Sequence, residues 1–246
     1  MIGSTILREF SRQISEYRKF KFNLFFANLG FFFTVSGFLT YFDTNQSTFR
    51  NFILLFTWYF SSHSITHPTY FIEDEILDRT IINVIQSKQS IFRMVFIKII
   101  VQILLDLVKA LPLFFLVALV QKVKFPENEY KTVAIFSLSC FIIFSLYGLG
   151  FLFASLSLII TKISSITNLL AYGILFFLGF QNQSNQLIAI LSYCLPFHNL
   201  VEFIRQPSLS SVIFLLFYGL FYWSLGLLCF QFCLTYAKKK GSLSHV

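Results

Sequence analysis

The chain has 246 residues, of which 56% are hydrophobic and only 12% charged, and its formal net charge at pH 7 is +8. A water-soluble domain of this length carries roughly 25% charged residues, so the composition excludes one and makes lipid the solvent for most of the chain. The basic excess does not point to nucleic acid. The nineteen Lys and Arg residues lie mostly beside apolar segments, where anionic headgroups attract them, and no basic stripe with interleaved aromatics sits on a polar domain. The thirty-five phenylalanines suit lipid-facing helices.

Residues 1–21 open the chain with a polar, basic stretch rather than the short charged lead of a signal peptide. Within it, segment 5–20 places Ile6, Leu7, Phe10, Ile14 and Tyr17 at helical spacing among Arg8, Arg12, Glu16 and Lys19. That pattern predicts an amphipathic helix in the cytoplasmic interface. A span needs about twenty largely apolar residues, and segments near 22–42, 49–71, 95–120, 132–160, 163–180 and 211–236 qualify. The expected fold is therefore all-α and integral to the membrane: six transmembrane helices and an N-terminal interfacial helix, in a single domain. No internal repeat, low-complexity linker or second soluble domain interrupts it. The fourth span is long enough to tilt or break, with Gly148 and Gly150 as its flexing point.

In the second span His63 and His67 stand four apart among Ser61, Ser62, Ser64 and Thr66. Two ligands do not make a site that normally needs three or four, so no metal is expected, and the pattern reads as a polar, Pro68-bent inner end. Next comes Glu73-Asp74-Glu75-Ile76-Leu77-Asp78-Arg79-Thr80, running on to Ser87-Lys88-Gln89-Ser90. Leu77, Ile81, Val84 and Ile85 share one helical face, which predicts a short amphipathic helix in the 73–93 connection. Such a helix serves equally to dock a partner protein or to rest on the membrane.

Along the third span Lys98, Gln102, Asp106 and Lys109 form one stripe. Ionisable groups at membrane depth face protein or water. The stripe either lines a translocation path or subunit interface, or is an Asp106–Lys109 pair neutralising itself while Lys98 snorkels to the surface; the self-neutralised pair is the preferred reading. The outer loop 181–211 holds a polar run, Gln181 to Gln186, and an apolar stretch, 187–204, too short to span and expected to be re-entrant or to lie on the outer surface. Cys140, Cys194, Cys229 and Cys233 contain no CxxC pair and read as spectator thiols. Asn45 and Asn182 begin N-x-S triplets on the expected outer side.

Orientation follows the basic residues in short loops. With six spans one side collects twelve: Arg8, Arg12, Arg18, Lys19, Lys21, Arg79, Lys88, Arg93, Lys162 and Lys238–Lys240. The other collects five: Arg50, Lys122, Lys124, Lys131 and Arg205. Both termini are expected to be cytoplasmic, in a multi-pass protein of the cell membrane. No Ser/His/Asp arrangement and no paired catalytic carboxylates stand out, so no enzyme is expected.

The sequence resembles the ABC-2 type permeases, the membrane subunits of many ABC exporters. The resemblance rests on Glu73-Asp74-Glu75, then Asp78-Arg79-Thr80-Ile81, then Gln86-Ser87-Lys88, in the place of that family's first cytoplasmic loop, without its usual glycine and proline. It continues through Gly148-Leu149-Gly150 and Ser155-Leu156-Ser157-Leu158, and through Leu195-Pro196-Phe197-His198 to Glu202-Phe203-Ile204-Arg205. It implies a type V exporter-like architecture in which Glu73, Asp74, Glu75, Leu77, Asp78, Arg79, Ile81 and Ser87 contact a separate cytoplasmic ABC ATPase subunit. The chain has no GxxxxGK[ST] with which to hold nucleotide phosphates, so no cofactor is expected in it, and ATP and Mg belong to the partner. A second copy of the chain, or a related permease, completes the path in surrounding membrane lipid. Two other readings stay open. One is a non-transporting membrane interaction or immunity protein; the other is a secondary transporter, for which repeated halves with broken helices are the usual sign.

Overall fold

The computed structural model describes residues 2–42, 48–78, 80, 90–160, 162–179 and 195–240. Among them the regular structure is helical throughout. In chain order the helices are α1 (Ile2–Lys19), α2 (Lys21–Phe42), α3 (Thr48–Leu77), α4 (Ile91–Val120), α5 (Glu129–Ser157), α6 (Ser164–Gly179), α7 (Phe197–Arg205) and α8 (Leu209–Lys240). The physical reason is the solvent implied by the composition. A backbone in hydrocarbon must satisfy its own N–H and C=O groups, and a helix does this within one segment.

Four of these helices are long and apolar enough to cross a membrane: α2 over Lys21–Thr40, α4, α5 and α8. The protein is thus an all-α, membrane-embedded chain. Helix α3 has the length, at 30 residues, but its C-terminal half carries Ser61, Ser62, His63, Ser64, Thr66, His67 and the Glu73–Glu75 cluster. Helix α6 is apolar but shorter, with 16 residues.

The chain divides into two compact units, Met1–Phe52 with Val84–Lys124, and Ile53–Asn83 with Phe125–Val246. In the first, α4 packs on both α1 and α2. Helices α1 and α2 follow one another with only Phe20 between them. The Phe20 N–H donates to the Glu16 carbonyl at 3.1 Å and the Leu24 N–H to the Phe20 carbonyl at 3.0 Å, so one turn residue, bonded on both sides, joins the two helices. Helix α4 stops through a paired C-terminal turn. The Val123 N–H reaches the Ala118 carbonyl at 3.0 Å and the Lys122 N–H the Leu119 carbonyl at 3.3 Å, with Lys122 in the left-handed region at φ 49°.

In the second unit α5 and α8 form the main pair and α7 rests on both. Contacts run in the same order along α5 and α8: Phe141 and Ser145 at Gly219, Phe144 at Trp223, Phe151 at Phe230. The two helices are therefore parallel. Phe56 meets Phe136 and Ser64 meets Gly150, so α3 is parallel to α5 as well. Helix α6 runs the opposite way to α3, since Trp58 donates to the Ala171 carbonyl at 2.8 Å while Glu73 holds Ser164.

Two boundaries and one expected flexing point differ from the sequence reading. Residues 73–77 are not loop but the last turns of α3, because nothing between Pro68 and Asp78 breaks the helical ladder. Helix α4 starts at Ile91, four residues before 95. The expected flexing point at Gly148 and Gly150 is unbroken helix, and both glycines are points of close helix contact instead. The expected amphipathic helix beyond Leu77 and the N-terminal part of the outer stretch 187–204 lie outside the described residues. The end of that stretch is α7.

Candidate functional sites

In the first unit two polar stripes with the same helical spacing meet. Helix α1 contributes Glu9, Gln13 and Tyr17, each four residues from the next, and α4 contributes Lys98, Gln102, Asp106 and Lys109. Asp106 is 1% exposed. A buried carboxylate costs several kcal/mol unless charge and hydrogen bonds compensate, and here both do. Lys109 Nζ lies 3.0 Å from Asp106 Oδ1, and Gln102 Nε2 donates to the same oxygen at 2.9 Å. The Tyr17 hydroxyl accepts from Lys109 Nζ at 3.1 Å and from Gln102 Nε2 at 3.2 Å, while the ammonium lies 4.6 Å from the Tyr17 ring centroid.

At the other end of the seam, Glu9 accepts from the Arg12 guanidinium at 2.6 and 3.2 Å and from Gln13 at 3.3 Å. Burial pushes the Glu9 carboxyl up, but the Arg12 hydrogen bonds and charge, Gln13 and the Lys98 charge outweigh it and leave the group below its ordinary value. Contacts keep the same order along α1 and α2 as along α4. Tyr17 reaches Gln102 and Lys109, Phe31 meets Phe114 at 5.4 Å and Gln121 donates to Thr40 at 3.2 Å. The stripe of α4 is thus a side-chain seam against α1. The Asp106–Lys109 pair foreseen from spacing is present.

Tyr17, Glu9 and Gln13 are what sequence reasoning missed. Tyr17 counts as apolar by its ring, yet the hydroxyl decides its place. The signal was available, because 9, 13 and 17 repeat the spacing of 98, 102 and 106.

In the second unit the acidic end of α3 divides by exposure. Glu73 is 9% exposed, and its Oε1 accepts the backbone N–H of Ser164 at 2.8 Å. A carboxylate there satisfies one orphan donor of the α6 N-terminus and faces the positive end of its dipole. One turn along, Asn168 Nδ2 donates to the Tyr70 hydroxyl at 2.5 Å. The chain enters α6 through Lys162 in the left-handed region, at φ 64°. Asp74, Leu77 and Asp78 are exposed, Glu75 is half-buried and its carboxylate accepts the Thr80 hydroxyl. Arg79, Ile81 and Ser87 lie outside the described residues. Of the eight residues tied to a cytoplasmic partner, then, Glu73 is committed to the protein's own interior.

The helices of this unit approach at glycine. A Cβ on Gly150 would overlap the Ser64 carbonyl, one on Gly226 the Gly148 carbonyl, and one on Gly148 would lie 2.6 Å from the Trp223 nitrogen. Small residues let backbones close this far, which is how apolar helices gain packing where lipid offers no hydrophobic drive. On α3 the histidines join a ladder of rings, with centroids 4.4 Å apart for Tyr59–His63, 4.7 Å for His63–His67 and 6.0 Å for His67–Phe71. No disulfide joins the described cysteines, Cys140, Cys229 and Cys233. No family model and no curated protein matches the sequence.

Proposed function

We propose that the chain is the permease subunit of an ATP-driven exporter of the ABC-2 type, crossing the cell membrane six times with both termini in the cytoplasm. The observation that carries the topology is the direction of the helices within each unit. In an alternating six-span path the second, fourth and sixth spans run one way and the fifth returns. Helices α3, α5 and α8 are parallel to one another and α6 is antiparallel to α3. In the other unit the first and third spans, α2 and α4, are parallel. The ends of α3 and α8 and the start of α6 then share one side with Lys162 and Lys238–Lys240, which agrees with the basic-residue bias.

The ATPase-contact role belongs to the end of α3 and the segment immediately after it, with Asp74, Leu77 and Asp78 presented outward. Glu73 acts inward, joining that end to α6, so that a push on the 73–90 segment moves two spans together. The α4 stripe is a self-neutralised seam with α1 and is not assigned to the cargo path. A second copy or a related permease supplies the other wall.

The test is purification of the chain from native membranes in mild detergent, with identification of any P-loop ATPase present at equal stoichiometry. Wild type retains the ATPase in this reading and Asp74→Lys with Asp78→Lys releases it. Failure of any ATPase to appear, under conditions that preserve a known ABC complex, overturns the exporter reading in favour of a non-transporting membrane-binding protein.

A further inference from the structure

We infer that the outward face of α1 is a binding surface for anionic phospholipid headgroups, built on the side opposite the seam. This rests on the membrane-embedded helices and not on the exporter reading. At 100° per residue, Leu7, Arg8, Ser11, Ser15, Arg18 and Lys19 fall within one third of the helix circumference. All six are exposed, while Gln13, on the opposite side, is 5% exposed. An interfacial helix ordinarily dips an apolar face into the acyl chains. Here the face that packs is occupied by α4, and the face left to the surroundings is cationic.

Position selects lipid as the occupant. Only Phe20, bonded to Glu16 and to Leu24, separates α1 from α2, and α2 at once exposes Phe22, Phe25 and Phe26, the side chains of a lipid-facing surface. Lys19 stands three residues before Phe22, about 5 Å along the axis, and Arg18 about 6 Å. Both lie within a Debye length of ~8 Å from the hydrocarbon boundary, where phosphate groups are densest. Arg8 lies ten residues further out, about 15 Å, and contributes less. A patch for an acidic protein would not need to be graded along the helix in this way.

Each Lys or Arg near an anionic surface raises binding by about fivefold. The experiment uses the full chain in mixed micelles holding equal phosphatidylglycerol and phosphatidylcholine, with retained lipids counted by native mass spectrometry. Wild type keeps phosphatidylglycerol in preference. Arg18→Gln with Lys19→Gln reduces the preference by about twentyfold, Arg8→Gln reduces it by less than fivefold, and the charge-preserving Arg18→Lys with Lys19→Arg keeps it. Equal retention of the two lipids by wild type overturns the inference. So does loss of preference in the charge-preserving variant, or a preference abolished by Lys238→Gln, Lys239→Gln and Lys240→Gln while the α1 double variant is unaffected. None of these outcomes touches ATPase co-purification, so the two readings fail separately.

Discussion

Glu73 accepts the backbone N–H of Ser164 at 2.8 Å, across 91 positions of sequence. One carboxylate in the last turns of α3 therefore caps the start of α6. Its replacement separates the two contributions. Glu73→Ala leaves the α6 N-terminal donor unsatisfied and is expected to cost about 1–2 kcal/mol. Glu73→Gln keeps an acceptor and loses only the charge facing the helix dipole, about 0.5 kcal/mol. Thermal unfolding in detergent ranks wild type, Gln and Ala in that order; an Ala variant as stable as wild type would show that Ser164 finds another partner.

The seam predicts strong coupling. Lys109→Met alone removes the ammonium that lies 3.0 Å from buried Asp106, a loss of about 3–5 kcal/mol. Lys109→Met combined with Asp106→Leu removes the buried carboxylate as well and recovers much of that loss. Tyr17→Phe deletes one acceptor and costs about 1 kcal/mol. A double-mutant cycle on denaturation midpoints measures the coupling. Strict additivity of Lys109→Met and Asp106→Leu would mean that the 3.0 Å pair contributes nothing.

Glycines of one sequence class behave in two ways. Gly148→Leu pushes α8 away from α5, at more than about 3 kcal/mol, because a Cβ there already meets the Trp223 backbone. Gly30 and Gly37 have nothing within 4 Å of a Cβ. Gly30→Ala and Gly37→Ala in the same assay stay within about 1 kcal/mol of wild type, on the stabilising side.

The Glu9 carboxyl lies below its ordinary value of 4.5. A depressed folded-state value means that the ionised form is favoured when α1 is seated. The stabilisation is complete above the ordinary value and disappears as pH falls through the lowered one. Hydrogen exchange of α1 amides, measured from pH 6 down to pH 3 with intrinsic rates corrected, should show α1 loosening at the acid end. Glu9→Gln should abolish that acid-dependent step. An acid step that persists in Glu9→Gln would assign the loosening to another group.

The helices were legible because hydrocarbon leaves the backbone few alternatives, so Phe and Leu runs such as 22–42 and 211–236 specify both element and length. The polar end of α3 was harder to bound. Glu73 to Leu77 look like loop by charge, but the helical ladder of α3 runs on through them, and one of those carboxylates has a partner 91 residues away, which no local pattern reveals. The stripe Lys98 to Lys109 was visible by its spacing and its internal pairing was foreseen. What covers it was not, since Tyr17 carries its polarity on one atom of an aromatic ring. Gly148 and Gly150 were read as freedom, whereas a neighbouring backbone uses the missing side chain as space.

The junction at Phe20 gives α1 and α2 a mechanical character. A single turn residue joins them, bonded back to Glu16 and forward to Leu24, which is too short a link to let α1 swing as a loose arm. Bending between the two helices therefore concentrates at one position. Any force that lifts Tyr17 off Lys109 reaches α2 through Phe20, three residues away.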